Sequence, residues 1–578
     1  MSTTAETRRR RVVFLALVLI TLVFAAAALA VLFAAGGVTP WEWAVGLGFG
    51  LTMPYTVIGF WNALIGVWLR HRRPAVLAAM PGVAPIRDHG PVPRLHCDTV
   101  LLMTLRNEAP APAFARLASM RASLAATGRL ARFTFAVASD SDDPKIIEAE
   151  ARAFADFCAR KAPGEPEPIY RRRTGNRGYK AGNIGEFLDA YGADFRYFLP
   201  LDSDSLMSGE TIVRLVAVME QRPEIGILQS LAVGMPSASG FARIFQFGMR
   251  HAMRSFTAGS AWWTADCGAY WGHNAVVRIA PFRAYCRLPE LSGGPPLGGA
   301  VLSHDQIEAA FMRRAGFEVR VVPVETESYE INPPTLLDFI RRELRWCQGN
   351  MQYLRLLATP GLKPVSRVQL LLAIGMYIAP AAWIGMIGAT CAGALAGGFR
   401  IQDWTLGMAL FGGVFLLAAA PRLAGALDVW LSEQGTARYG GTGVFAVSVL
   451  VELVSSMLVA PIVALSITLF LIGLPFGKHM GWHGQNRDRL GIAWRDAAVA
   501  LAPHTLTGIV IAAGLWWVGG PTAVVWAAPV IAGLALAAPY TVLSADPALG
   551  RGLARLGLFS VPEELRMPAV LFTRRENS

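Results

Sequence analysis

Apolar residues in this chain are gathered at its two ends and mixed with charge in its middle. Val12 to Gly36 is a run without a charged residue, and Trp43 to Leu69 is a second. Each exceeds the roughly 20 apolar residues that a helix needs to cross a bilayer. From Arg70 to Ser366 the pattern is periodic and charged, like that of a soluble domain. After Val368 the long runs return: Val368–Gly398, Trp404–Ala420, Gly443–Pro475, Val499–Val518 and Ala523–Val542. The pattern therefore predicts membrane segments, a soluble domain, and membrane segments again. The first run lacks a clear cleavage site and is soon followed by another span, so it reads as an anchor rather than a removable leader.

Basic residues beside the spans predict their orientation. Arg8 to Arg11 precede the first span, and Arg70, Arg72 and Arg73 follow the second. Both ends of this hairpin should face the cytoplasm, and so should the domain that follows. The loop bearing Lys478, His479, His483, Arg487, Arg489 and Arg495, and the tail bearing Arg551, Arg555, Arg574 and Arg575, are expected on the same side. Parity then requires an even number of crossings in each block. That is met if Gly443–Pro475 holds two short spans hinged near Ala460-Pro461, or one re-entrant hairpin, giving about eight crossings in all. The expected divisions are a transmembrane hairpin over 1–70 (spans about 12–35 and 43–69), a cytoplasmic domain over 71–366, a second membrane domain over 367–545 with a basic loop at 476–497, and a tail over 546–578.

Composition sharpens this reading. The 578 residues are 53% hydrophobic and only 16% charged, which excludes a purely soluble enzyme. Much of the net charge of +12 sits in the span flanks, so nucleic-acid binding is not called for. The 6 cysteines form no Cys-x-x-Cys pair, so neither a zinc site nor a disulfide framework is expected.

In the middle region short apolar runs alternate with helical patterns. Thr99–Thr104 and Phe133–Ala138 read as strands, Met120–Thr127 and Lys145–Lys161 as helices, and Tyr197–Leu201 as a further buried strand. Such alternation predicts an open α/β sheet, in which ligands bind beyond the carboxyl ends of the strands. Asp140 lies just past the second strand, and Asp202-Ser203-Asp204 follows the third. In extended backbone, side chains two apart point the same way. Two such carboxylates suit a hard cation, Mg²⁺ or Mn²⁺, that also holds a diphosphate, although Asp and Ser equally favour a solvated turn.

Other motifs carry two readings each. The run Tyr170 to Asn183, with Arg171, Arg172, Arg173, Lys180 and Gly182, could meet a diphosphate, with Gly182 admitting close backbone approach, or form a solvated cationic loop. Tyr270-Trp271-Gly272-His273 offers a surface on which a sugar could stack, or ordinary core packing for Trp271. Asp305 starts a helical pattern, as an N-cap or as a well-held general base. Arg342, Arg345 and Trp346 would stabilise a leaving diphosphate and stack a sugar, or form a juxtamembrane basic helix with an interfacial Trp. Glu452, alone in an apolar run, is a functional candidate or a helix-pair contact.

The ordered set Asp140, Asp202/Asp204, Asp305 and Arg345-Trp346 resembles the processive family 2 glycosyltransferases, which include cellulose and hyaluronan synthases. Their pattern is a first Asp, Asp-x-Asp, Thr-Glu-Asp and Gln-x-x-Arg-Trp. Here Ser303-His304 stands in place of Thr-Glu, and Arg342 in place of Gln. Those departures, with Tyr-Trp-Gly-His-Asn-Ala at 270–275, Leu-Ser-His-Asp at 302–305 and Arg-Trp-Cys-Gln-Gly-Asn at 345–350, resemble a narrower group, the glucosyltransferases of bacterial osmoregulated periplasmic glucans.

The resemblance implies a GT-A domain, a Rossmann-like open α/β sheet, inserted in an all-α polytopic domain of the inner membrane. It implies UDP-glucose as donor, a growing β-1,2-linked glucan as acceptor, and inversion in one displacement. It places Asp140 at the uracil or ribose, and Lys180, Gly182 and Asn183 along the nucleotide. Asp202 and Asp204 fall at the metal and diphosphate, and Asp305 at the acceptor hydroxyl as general base. Arg345 and Arg342 fall at the departing phosphates, and Trp346, with Tyr270, Trp271 and His273, at the acceptor sugar. A gating loop at 478–495 and a polar conduit through the membrane block follow from the same resemblance. So do acyl carrier protein and periplasmic glucan-processing proteins as partners. Readings from other classes are a cellulose-like β-1,4 synthase, a lipid-linked sugar transferase, and a non-catalytic sensor or transporter with a nucleotide-sugar-binding domain.

Overall fold

The computed structural model describes residues 4–34, 38–88, 90–398, 403–481 and 491–572. His483, Arg487, Arg489, Arg574 and Arg575, on which part of the expected orientation rests, lie outside the described residues. Two long helices open the chain, α1 (Thr4–Ala34) and α2 (Pro40–Arg72). The middle region then runs β1 (Thr99–Leu105), α3 (Pro110–Ala126), β2 (Phe133–Ser139), α4 (Pro144–Ala159), β3 (Ile169–Arg172), α5 (Tyr179–Tyr191), β4 (Tyr197–Leu201) and β5 (Leu206–Met207). It continues through α6 (Gly209–Gln221), β6 (Ile225–Gly234), α7 (Gly240–Thr264), β7 (Ala275–Arg278), α8 (Ile279–Tyr285), α9 (Asp305–Arg314), β8 (Glu318–Glu330) and α10 (Leu336–Leu356).

The strands form one mixed sheet in the order β3-β2-β1-β4-β7-β6-β8-β5. The first four are mutually parallel, while β7 is antiparallel to both β4 and β6. β2, β4 and β6 are buried over their whole length, which is why they read as unbroken apolar runs rather than alternating ones. Helices cover both faces: α3 and α6 pack on one, and α5, α8 and α9 on the other. Local chemistry sets several helix starts. Asp143 caps α4 ahead of Pro144, and Ser208, Ser239 and Thr335 accept backbone N–H groups at the starts of α6, α7 and α10. Register decides the site. Leu105 pairs with Ser139 and Met103 with Leu201, so the residues following β2 and β4 leave the sheet at the same edge.

The remaining long helices are α11 (Pro364–Leu395), α12 (Trp404–Leu431), α13 (Thr442–Gly473) and α14 (Trp494–Ala535), followed by the short α15 (Ala537–Ala545) and α16 (Pro547–Arg555). Among the described residues, 6 helices are long and apolar enough to cross a membrane: α1, α2, α11, α12, α13 and α14. Two features separate these 6 helices from the eight expected spans, and the first agrees with the expectation. The expected pair of spans at Val499–Val518 and Ala523–Val542 is α14 bent back on itself at Gly520 (φ 61°, ψ −161°), so that Gly508 packs against Leu534 and Ala535. The expected pair or hairpin within Gly443–Pro475 is instead one continuous helix, α13, with Pro461 inside it. Pro removes a single hydrogen bond and kinks a helix, and here the flanking apolar residues keep the helix going.

Both ends of α13 meet the sheet domain and its attachments. At the start, Arg438 pairs with Glu325 of β8 (3.0 Å), and Ser448 Oγ accepts the N–H of Phe559 (3.0 Å). At the end, Met480 N–H donates to Gln348 of α10 (2.7 Å), and Phe470 and Leu474 join the apolar core around β7 and α9.

Within the expected soluble span 71–366, one helix packs against the long apolar helices. α7 packs along α2 and α12. Two glycines make this possible: a Cβ on Gly66 would lie 1.7 Å from the Ser255 carbonyl oxygen, and one on Gly259 would lie 1.9 Å from that of Asn62. The expected tail folds back as well, with Val570 and Leu571 entering the main core beside α3.

Candidate active site

Asp140, Asp202, Asp204 and Asp305 line one cavity of about 1390 Å³, together with Lys180, Asn183, Trp271, His273, Arg342, Arg345 and Trp346. Thus four carboxylates spread over 165 positions of sequence meet at the carboxyl edge of the sheet, as the register requires. The cavity does not stop at the sheet. It is also lined by Tyr55, Asn62 and Gly59 of α2, Phe256 and Trp263 of α7, and Arg422 of α12.

Asp140 is buried and accepts both Nε and Nη2 of Arg173, the latter at 3.0 Å. The Asn176 amide donates to its Oδ2 (3.0 Å) and accepts from Arg106 Nη1 (2.6 Å). Arg173 also bonds Glu186, and Arg171 bonds Asn183. Much of the basic run at 170–183 is therefore committed to building the wall. Of these cations Lys180 is the one that lines the large cavity, where it pairs with Asp202 and donates to the Gly272 carbonyl (2.9 Å). Asn183 donates to Ala138 O (2.9 Å) and so ties α5 to the end of β2.

Gly182 does not line the cavity. The space its missing side chain leaves is filled by the Arg177 carbonyl, 2.1 Å from where a Cβ would sit, so its task is the tight first turn of α5. Tyr270 is likewise fully buried behind the site rather than in it. Trp271 and His273, its neighbours, do reach the cavity. His273 Nε2 lies 3.4 Å from Glu330, a cavity-lining carboxylate at the end of β8, in the string Ser-Tyr-Glu at 328–330, to which the sequence pattern gives no site role.

Asp204 is buried and accepts the N–H of Ile331 (3.2 Å). The carbonyl between the two aspartates, Ser203 O, accepts Arg116 of α3 (2.5 Å), which pins the Asp-Ser-Asp turn from below. Among the described residues no three His, Cys, Asp or Glu side chains gather into a metal cage. The donor set still fits a divalent ion of the Mg²⁺ kind. Two hard carboxylates face one cavity, and such ions keep few protein ligands and take the rest from phosphate oxygens and water.

Asp305 is the first residue of α9, and His304 holds the cap position with no side-chain capping bond. The N-cap reading of Asp305 is thus off by one, which leaves its side chain for the cavity. His304 and Glu308, one turn apart, form a buried pair at 2.8 Å. Burial pulls the imidazole down, but the Glu308 carboxylate outweighs it and raises His304 above its ordinary value. Burial in turn pushes Glu308 up.

α10 supplies the opposite wall. The Arg342 guanidinium covers one face of the Trp346 ring at 4.7 Å, and the Trp346 side chain stays 41% exposed. α10 also braces the Asp305 loop, through Tyr353 hydroxyl to Ser303 O (2.7 Å) and Gln352 Oε1 to Leu302 N (2.9 Å). Glu452 takes the helix-pair reading: it accepts Arg422 Nε and Ser456 Oγ, each at 2.7 Å.

Residues 197–477 match the model of the glycosyl transferase family group 2. A protein named glucans biosynthesis glucosyltransferase H from Caulobacter vibrioides is 36% identical over 505 residues, covering 84% of this chain and 75% of its own length. Proteins of the same name from Xanthomonas oryzae and Bradyrhizobium diazoefficiens are 37% and 35% identical, over 84% and 94% of this chain and 77% and 73% of theirs. A solved mannosyltransferase from Pyrobaculum calidifontis, in complex with GDP-Man and Mn2+, superimposes with a TM-score of 0.40 at 17% identity, over 67% of this chain and 100% of its own. This chain is a glycosyltransferase and belongs to the glucans biosynthesis glucosyltransferase H family, within family 2.

Proposed function

We propose that this chain polymerises glucose from UDP-glucose into the β-1,2-linked backbone of osmoregulated periplasmic glucans, at the cytoplasmic face of the bacterial inner membrane, and passes the product outward. One observation carries the reading: Asp140, Asp202, Asp204, Asp305 and the Arg345-Trp346 pair line a single cavity that continues between α2, α7 and α12.

The roles follow from position. Asp140, fixed by Arg173, orients the nucleoside. Lys180, Arg342 and Arg345 place positive charge where the UDP diphosphate departs. Asp202 and Asp204 would hold Mg²⁺ or Mn²⁺, which as a Lewis acid neutralises the leaving phosphates. Asp305 takes the proton of the acceptor hydroxyl as that oxygen bonds the anomeric carbon and the bond to UDP breaks, a general-base contribution of about 10²–10⁴-fold. Trp346 stacks on the acceptor. Glucan cannot cross hydrocarbon unaided, because each unpaired hydroxyl there costs roughly 2–7 kcal/mol. The polar and aromatic groups of α2, α7 and α12 at the cavity answer that cost.

With both ends of α13 on the sheet domain and α14 doubled back, six crossings (α1, α2, α11, α12 and the two arms of α14) keep both termini and the 476–497 loop on the cytoplasmic side. The described ends of that loop, Met480, Gly481, Gly491 and Ile492, line the cavity, which suits a gate. Acyl carrier protein on the cytoplasmic side and glucan-processing proteins in the periplasm complete the same reading.

The test is purified full-length protein in detergent, supplied with labelled UDP-glucose and Mg²⁺, with linkage analysis of the polymer. Asp305→Asn should abolish polymer while UDP still binds. A β-1,4 product, or incorporation only from another nucleotide sugar, overturns the assignment.

A further inference from the structure

Beside Asp305 lies a buried pair that the mechanism above does not use. His304 lines the cavity, and its Nδ1 is committed to Glu308 Oε2 at 2.8 Å. The Glu308 side chain is only 4% exposed. With Nδ1 engaged, Nε2 is the one polar atom of the ring left to meet a ligand. The ring is held close to the root of Asp305. A Cβ built on Gly272 would lie 3.2 Å from His304 Cε1, 3.5 Å from Nε2 and 3.5 Å from Asp305 Cβ. Gly272 adopts φ +77°, so both side chains share the space that a left-handed glycine leaves open.

Two polar groups set this close suit a vicinal diol, in which the attacked hydroxyl and its ring neighbour are read together. We propose that His304 is an acceptor-binding residue that donates from Nε2 to the hydroxyl next to the one Asp305 deprotonates, and that Glu308 is the positioning residue that holds the ring and its proton. The proposal rests on the glucan-synthase reading above and adds to it a determinant of which acceptor hydroxyl is presented.

The donor role requires a protonated ring, since a neutral imidazole whose Nδ1–H bonds Glu308 offers Nε2 only as an acceptor. The groups facing His304 are Glu308 and Asp305 on its own helix and Lys180 on α5. Around the pair lie Tyr270, a few residues before β7, Cys286 just after α8, and Tyr353 of α10. Burial opposes the charge, Glu308 and Asp305 support it and Lys180 opposes it; the balance lies above the ordinary histidine value. Acceptor binding should therefore be strong below that raised midpoint and weaken as pH rises through it.

The experiment measures, by calorimetry between pH 6 and pH 9, binding of a β-1,2-linked glucose trisaccharide to the full-length protein holding UDP and Mg²⁺, with UDP-glucose affinity as a separate arm. Wild type should lose trisaccharide affinity about tenfold across the range. His304→Gln should bind about tenfold more weakly at pH 6 and show no such slope. Glu308→Gln should move the midpoint below the ordinary histidine value, because burial and Lys180 then outweigh Asp305. UDP-glucose affinity, unchanged in both variants, shows that they are folded. The proposal is overturned if His304→Gln keeps the wild-type slope, if the variants lose UDP-glucose rather than trisaccharide, or if a wild type that polymerises glucose shows no trisaccharide binding at any pH. A wild type that does not turn over UDP-glucose refutes the parent reading instead.

Discussion

Lys180 shows how far a single side chain's meaning depends on its neighbours. In the sequence it is one cation among several; in the fold it is the cation of α5 that bridges Asp202 and the Gly272 carbonyl inside the cavity. Hydrogen bonds to a charged group are worth about 1.5–3 kcal/mol. Lys180→Ala should therefore lower kcat/KM for UDP-glucose by about 10–100-fold without unfolding the protein, as steady-state rates and a thermal melt would show. An unchanged kcat/KM would remove Lys180 from the donor site. Gly272 carries a second expectation. Ala there must adopt a left-handed φ, at about 1–2 kcal/mol, and its methyl would press on His304. Gly272→Ala should cut polymerisation strongly at near-normal stability. The carboxylates were legible because their spacing and their place after apolar runs are local facts. Glu330, which lines the cavity, and Arg116 and Glu308, which brace it from behind, were not, because those contacts come from distant parts of the chain or from buried packing.

Helix α13 makes the corresponding point for elements. Its composition is that of a membrane span, and it satisfies every length criterion for one. What places it differently is the set of partners at its two ends, Glu325 and Phe559 at the start and Gln348 at the finish. Single cysteines placed at 440 and 478 in a cysteine-free background should both react with a membrane-impermeant thiol reagent from the side that carries the sheet domain. Labelling from opposite sides would make α13 a true crossing and change the parity of everything after it. α7 is the converse case. Its amphipathic pattern reads as soluble, yet Gly66 and Gly259 let it lie against α2. β1, β2 and β4 and the helix that follows Asp143, by contrast, obey local rules of periodicity and capping, and the sequence pattern located them; it did not mark the other five strands or the helices capped by Ser208, Ser239 and Thr335.

Across the whole molecule, a charged seam joins the sheet domain, the membrane helices and the chain end. Arg250 of α7 pairs with Glu325 of β8 and with Glu563 (2.8 Å), and Arg243 holds Glu564 (2.9 Å). Asp428 of α12, fully buried, takes Arg70 (2.6 Å) and Arg254 (3.2 Å). Burial works against ionisation of Glu325, but Arg250, Arg254 and Arg438 outweigh it and hold the carboxyl well below its ordinary range. A depressed carboxylate stabilises the fold above its unfolded-state value and loses that contribution as pH falls through the folded-state value. Thermal stability in detergent should thus decline on acidification below the ordinary carboxylate range. Glu325→Gln should lower stability at neutral pH by about 1.5–3 kcal/mol, the worth of hydrogen bonds to charged groups, because its carboxylate is partly exposed, and should flatten the acid slope. A variant as stable as wild type at neutral pH would show that the seam does not hold the domains together.

The linear chain fixed the arrangement of a sheet domain between apolar blocks, the strand ends that carry Asp140 and Asp202, and the motif order that marks the family, because periodicity, hydropathy and i, i+2 spacing act between near neighbours. Packing settled the rest: which aspartates share a cavity, that Arg173 bonds Asp140, that His304 and Glu308 form a buried pair beside Asp305, and that α13 runs as one helix against α11 and α14. Each of these depends on groups brought together from distant positions by strand register and helix contact, and no local pattern encodes such meetings.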